Sequence, residues 1–153
     1  MKLTDIHQQH AASKKLFSEI VIVDWYDGAV MGFSKVDDTG RWYVYNLCYF
    51  EPSKKVRIFT LVEIPEAWLP RFMEAKDKLV RQDLGAYYNI KSLMKDVVDD
   101  RKADAYLLKT QQLEDADYSI VTLPAADRQY FDGIGEVMEQ DDDAMHKWIS
   151  YFK

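Results

Sequence analysis

From residue 19 to residue 64 the chain runs in short stretches of β-branched and aromatic residues separated by turn residues, which is the pattern of strands. EIVIVDWY is followed by Asp27-Gly28, and AVMGFSKV then resumes the apolar pattern. Asp-Gly between two such runs predicts a two-residue hairpin, because both turn positions need a positive φ. That register opposes Tyr26 to Ala29, Trp25 to Val30, Asp24 to Met31, Val23 to Gly32 and Ile22 to Phe33. Gly32 then lies diagonal to Trp25 and leaves space for the indole. Asp37-Asp38-Thr39-Gly40 reads as the next turn, RWYVYNLCYF (41–50) as a third strand, and VRIFTLVEI (56–64), after a turn at Glu51–Lys54, as a fourth. Four strands with short connections make an antiparallel meander.

The strand faces differ. Strand four places Val56, Ile58, Thr60, Val62 and Ile64 on one side. Strand three places Trp42, Val44, Asn46, Cys48 and Phe50 on one side, with Tyr43, Tyr45, Leu47 and Tyr49 on the other. One face of the sheet is expected to pack on helices. The tyrosine side is either half exposed or covered by the second half of the chain.

At Pro65 the period changes to about 3.6 residues. Leu69, Phe72, Met73, Lys76, Leu79 and Val80 form a stripe, with Pro70 confined to the first turn and Gly85 as a stop. Ile90, Leu93, Met94, Val97 and Leu108 predict a second helix from about 89 to 109, and YSIVTL (118–123) a short fifth strand. Met145, Trp148, Ile149 and Phe152 mark a last helix, opened by the acidic run at Asp141–Asp143. Thr4 to about Phe17 is a loosely packed N-terminal helix or a frayed end. The expectation is a single α+β domain over residues 1–153, with a four-stranded meander at about 19–64 packed on C-terminal helices. Ile58, Val62, Phe72, Leu79, Trp148 and Ile149 should be buried together.

Composition narrows the function classes. A length of 153 residues suits one domain with a core of its own. Net charge is -6, and it is uneven: residues 1–65 balance, while residues 114–143 hold ten acids and the single base Arg128. That balance argues against nucleic acid as a partner, since phosphate contacts need Lys and Arg. No apolar run reaches the roughly 20 residues of a membrane-spanning helix. One cysteine, Cys48, excludes an intrachain disulfide and fits a reducing, cytoplasmic setting.

Chemistry has few candidates. His7 and His10 are three apart, but no further ligand type lies near them in sequence, and His146 sits in the last helical stretch. Cys48 lies mid-strand and reads as a buried apolar thiol. The Asp141–Asp143 run lacks the alternation, glycine and closing glutamate of a calcium loop. Gly133 and Gly135 belong to no phosphate loop or dinucleotide fingerprint. Asp24 shares its predicted face with Ile20, Ile22, Met31 and Phe33, so on burial it needs a donor. It is either a structural acceptor or a general acid or base.

These features favour a non-catalytic protein that binds a basic protein partner, of the inhibitor or immunity type, without cofactor or metal. Its contact residues are expected in the acidic stretch, at Asp132, Glu136 and Glu139, and on the row Tyr43, Tyr45 and Tyr49, because Tyr is enriched at interfaces. Two alternatives stand beside it. One is a small-ligand binder or enzyme with a pocket between sheet and helices that holds Asp24. The other is a homo-oligomeric module joined through the tyrosine face.

Overall fold

The computed structural model describes residues 15–51, 53–100, 104–117, 119–124, 127 and 150–152. Within them six strands form one antiparallel sheet in chain order: β1 (Phe17–Trp25), β2 (Ala29–Val36), β3 (Trp42–Glu51), β4 (Val56–Glu63), β5 (Ala105–Thr110) and β6 (Ile120–Thr122). Two helices, α1 (Leu69–Val80) and α2 (Ala86–Asp99), intervene between β4 and β5. The chain is thus α+β and opens with the four-stranded meander that the alternation dictates. Pro70 stands in the first turn of α1, where its missing N–H costs no helical hydrogen bond. Gly85 adopts φ 79 where the turn between the helices delivers the chain into α2.

Two boundaries differ from expectation. The second helix stops at Asp99, and Leu108 belongs to β5 rather than to that helix. Ala105, Tyr106, Leu107 and Leu108 are all buried, because β5 lies between β4 and β6 with both faces covered. A strand covered on both faces has no period of two to display, so its apolar run resembles a continuation of the helix before it. The strand near 118–123 is therefore the sixth. At the other end, Phe17 opens β1, so a helix does not extend that far. Residues 4–14, and Trp148 and Ile149 of the last predicted helix, lie outside the described residues.

Each face of the sheet carries its own core. On one, Met31, Phe33, Val44, Ile58 and Val62 pack on Phe72, Ile90, Met94 and Val97 of the helices. The Phe33 ring meets Phe72 edge-on, with centroids 5.3 Å apart. Leu79 packs against this core, while Val80, placed on the same stripe by sequence, is exposed. On the other face, Val30, Tyr45, Leu47, Phe59, Leu61, Tyr106 and Leu108 are covered by Leu16, Leu113 and Ala116. Leu16 donates its N–H to the Ala116 carbonyl at 2.8 Å, and Lys15 lies 3.8 Å from Asp115. Contact between the chain entering β1 and the β5–β6 connection requires the sheet to curl around this second core.

The tyrosine row is not an exposed platform. Tyr43, Tyr45 and Tyr49 are all buried, and they do not share a face. Leu47 opposes Phe59 and Tyr49 opposes Ile58, so Cys48 is an extra residue in β3. This bulge turns Tyr49 toward the helices and Phe50 toward the other core, the reverse of simple alternation. The homo-oligomer reading loses the surface it relied on.

Candidate functional site

β1 is an edge strand and carries most of the sheet's irregularity. Its register against β2 shifts between Phe17 and Glu19, between Ile22 and Asp24, and between Asp24 and Trp25. Asp24 opposes Met31 as the Asp-Gly signal implies, but Trp25 opposes Ala29 and Ile22 opposes Gly32. The connection is therefore the three residues Tyr26–Gly28, with Asp27 at φ 51 and Gly28 at φ 139. Bulges bend an edge strand and redirect its side chains. Here Trp25 is 60% exposed and Tyr26 80% exposed, at the very end of the hairpin.

The space at Gly32 is filled by Tyr45 rather than by Trp25. An added Cβ at Gly32 would lie 2.6 Å from the Tyr45 hydroxyl oxygen. That hydroxyl donates to the Val21 carbonyl at 3.0 Å, which fastens β3 to β1 across β2. Burial, and after it the negative charge of Glu114, push the Tyr45 phenol far above its usual pKa.

Arg57 on β4 organises the hairpin end. Its Nη2 donates to the Asp27 carbonyl at 2.7 Å and its Nη1 to the Gln111 carbonyl. The guanidinium carbon sits 4.4 Å from the centre of the Phe50 ring. These contacts tie the β1–β2 turn to the end of β5. Both of these acceptors are neutral, and among the described residues no carboxylate lies within ion-pair distance of Arg57. Beside it is a cavity of about 110 Å³, bounded by Trp25, Gly28, Phe59, Leu113 and Glu114 as well as by Arg57. The hairpin end thus combines two exposed aromatics, one braced cation and a small cavity of mixed polarity.

Asp24 is half-buried and accepts a hydrogen bond from the Tyr87 hydroxyl of α2 at 3.3 Å and one from the Trp25 N–H at 3.0 Å. It joins hairpin to helix as a structural acceptor. Tyr87 in turn meets Tyr88 edge-on at 5.4 Å, and Tyr88 is exposed. Cys48 is buried and donates its thiol to the Ile58 carbonyl at 3.0 Å; burial raises its pKa well above the usual thiol value, which suppresses the nucleophilic thiolate. Tyr49 donates to Glu51 at 2.9 Å, and burial together with that bond raises its phenol pKa. Among the described residues no three His, Cys, Asp or Glu side chains converge as metal ligands would. Also among them, no helix is long and apolar enough to cross a membrane. Asp132, Glu136 and Glu139, together with His7, His10 and His146, lie outside the described residues.

Sequence reasoning missed Arg57 and the exposure of Trp25. The signal for Arg57 was present: it is the one cation in the strand VRIFTLVEI. Its partners come from residues 27 and 111, far away in the chain, and no local pattern links them. No protein-family model matches the chain, and neither does any curated protein or solved structure.

Proposed function

We propose that this chain is a non-catalytic protein-binding domain whose contact surface is the end of the β1–β2 hairpin. The observation that carries the reading is the exposure of Trp25 and Tyr26 beside the braced Arg57. Trp, Tyr and Arg are the residue types that dominate binding energy at protein interfaces. Hydrogen bonds to two carbonyls hold the Arg57 guanidinium in place before any partner arrives, so little ordering entropy is lost at that side chain on association.

The rim selects the partner's charge. Asp27 and Glu114 border the hairpin cavity, Asp115 and Asp117 follow in chain, and the net charge is -6. Such a rim favours a basic protein, because complementary fields raise encounter rates and disfavour acidic competitors. An inhibitor or immunity-type protein that neutralises a basic enzyme is the form of this function that a small acidic chain suits. Asp132, Glu136 and Glu139 enter the proposal as further long-range charge.

A photo-crosslinking residue placed at Tyr26 in the cell of origin tests the reading. A matched control sits at Asp37, in the turn at the other end of the sheet. A basic protein captured from position 26 and not from 37 supports the proposal. Capture of the same proteins from both positions overturns it. For a captured partner, Asp132→Asn, Glu136→Gln and Glu139→Gln combined should slow association at low salt more than they change dissociation.

A further inference from the structure

The turn between α1 and α2 carries exposed apolar side chains of its own, apart from those of the hairpin. Between residues 80 and 88, Val80 is 75%, Leu84 104% and Tyr88 73% exposed. A single exposed apolar residue is ordinary on a protein surface, but several large ones gathered in one place mark a contact surface. The backbone of the turn is fixed. Gln82 at φ 57 and Gly85 at φ 79 reverse the chain, and the N–H groups of Asp83 and Ala86 donate to the carbonyls of Lys78 and Asp83. Tyr88 is braced edge-on by Tyr87, whose hydroxyl is held by Asp24.

Charge decides what covers this turn. Residues 74–91 carry four bases and three acids, in a chain whose net charge is -6. A basic protein is therefore drawn to the acidic rim of the hairpin and not to this place. For a second copy of the chain the preference is the opposite. Two molecules of net charge -6 repel, and their approach is least opposed where each is close to neutral. The turn also sets one charge of each sign beside the apolar residues. Arg81 Nη2 lies 3.4 Å from Asp83 Oδ2, a long contact between two well-exposed side chains. A twofold axis brings residue i of one copy against residue j of the other, and j against i. A patch with one cation and one anion is then complementary to itself, with Arg81 of each copy facing Asp83 of the other.

We propose that the α1–α2 turn is a twofold self-association surface, with Val80, Leu84 and Tyr88 as its apolar centre and Arg81 and Asp83 as the reciprocal charge pair that fixes its register. Three apolar side chains fall short of the roughly 800 Å² per partner of a standard stable interface, so the dimer is weak and forms with rising concentration. The proposal does not depend on the protein-binding reading, because it uses none of the hairpin residues and is tested without a foreign partner.

The experiment is sedimentation velocity of the full chain over a concentration series reaching about 1 mM, at fixed ionic strength and neutral pH, with a dimer expected at Kd on the order of 0.1 mM. Leu84→Ser should weaken association roughly tenfold or more, at an unchanged melting temperature because the side chain is fully exposed. Arg81→Asp and Asp83→Arg test the twofold pairing. Each variant alone sets like charges across the axis and should dimerise roughly tenfold or more weakly than wild type. Their equimolar mixture sets opposite charges at both contacts and should recover association at least as strong as that of wild type. This recovery in the mixture is a property of two copies meeting at this turn and not of either variant's fold. A monomer throughout the series overturns the proposal and leaves the turn to a foreign partner. Undiminished dimerisation of Leu84→Ser overturns it as well, as does a mixture of the two charge variants that associates no more than each does alone. Dimerisation lost in Trp25→Ala and kept in Leu84→Ser would move the contact to the hairpin and also overturn it.

Discussion

Gly32→Ala is the perturbation whose consequence the structure fixes most tightly. The added Cβ would fall 2.0 Å from the Val21 carbonyl oxygen and 2.6 Å from the Tyr45 hydroxyl. The first neighbour is backbone of the adjacent strand, so β1 itself must move. Overpacking of a filled core costs about 1–3 kcal/mol. The displaced Tyr45 hydroxyl also loses its acceptor while its ring remains buried, which adds about 1–3 kcal/mol. The expected loss is about 4 kcal/mol, a large fraction of the roughly 5–15 kcal/mol that holds a domain folded. Urea unfolding followed by tryptophan fluorescence should show the midpoint falling by about 2 M for a slope near 2 kcal/mol/M, with the slope itself unchanged. Tyr45→Phe alone should cost about 1 kcal/mol. The double variant should cost less than the sum of the two, by about 1–2 kcal/mol, because the hydroxyl clash and the lost hydrogen bond are then counted once. A Gly32→Ala protein within about 0.5 kcal/mol of wild type would refute the close approach of β1, β2 and β3 at this point.

Three further outcomes follow from the two cores. Ser34→Ala should leave stability unchanged or raise it by about 1 kcal/mol, because the Ser34 hydroxyl is buried without a hydrogen-bond partner among the described residues; a loss above about 1 kcal/mol in thermal unfolding would contradict that placement. Tyr43 and Tyr45 have phenol pKa values raised by burial, with Glu63 and Glu114 respectively adding to the effect, so the folded state holds their protons more tightly than the unfolded chain. Their contribution to stability is whole below the unfolded value near 10 and is lost as pH rises above it, so equilibrium unfolding should show stability falling with pH there, less steeply in Tyr45→Phe. Cys48 should react with a disulfide reagent far more slowly in the native state than in urea, and equal rates would place the thiol at the surface.

The parts legible in the sequence are those with a local cause. Asp27-Gly28 marks the hairpin because few other dipeptides accept two turn positions of positive φ, and both residues adopt it. Ile58 and Val62 sit on the helix-facing side of the sheet with Phe72 because periods of 2.0 and 3.6 fix which side chains share a face. What escaped has a non-local cause. The bulge at Cys48 depends on how β4 lies beside β3, and it reversed the facing of Tyr49 and Phe50. β5 was absorbed into the preceding helix because burial on both faces erased its alternation. The tyrosines drew attention as contact residues by type alone, and the curl of the sheet buried Tyr43 and Tyr45 instead. Arg57 became visible only once residues 27, 50 and 111 were brought around it.

The central claim is that the end of the β1–β2 hairpin is the contact surface, and Trp25 tests it most directly. Its side chain is largely exposed, so Trp25→Ala should leave the melting curve close to that of wild type. Its loss from an interface should nevertheless weaken binding by at least about 2 kcal/mol, or roughly 30-fold in Kd. The measurement is calorimetric titration of the partner crosslinked at position 26 with wild type and with Trp25→Ala, each shown to be folded. A loss of roughly 30-fold or more at unchanged melting temperature is the predicted result. An affinity within about twofold of wild type would contradict the account.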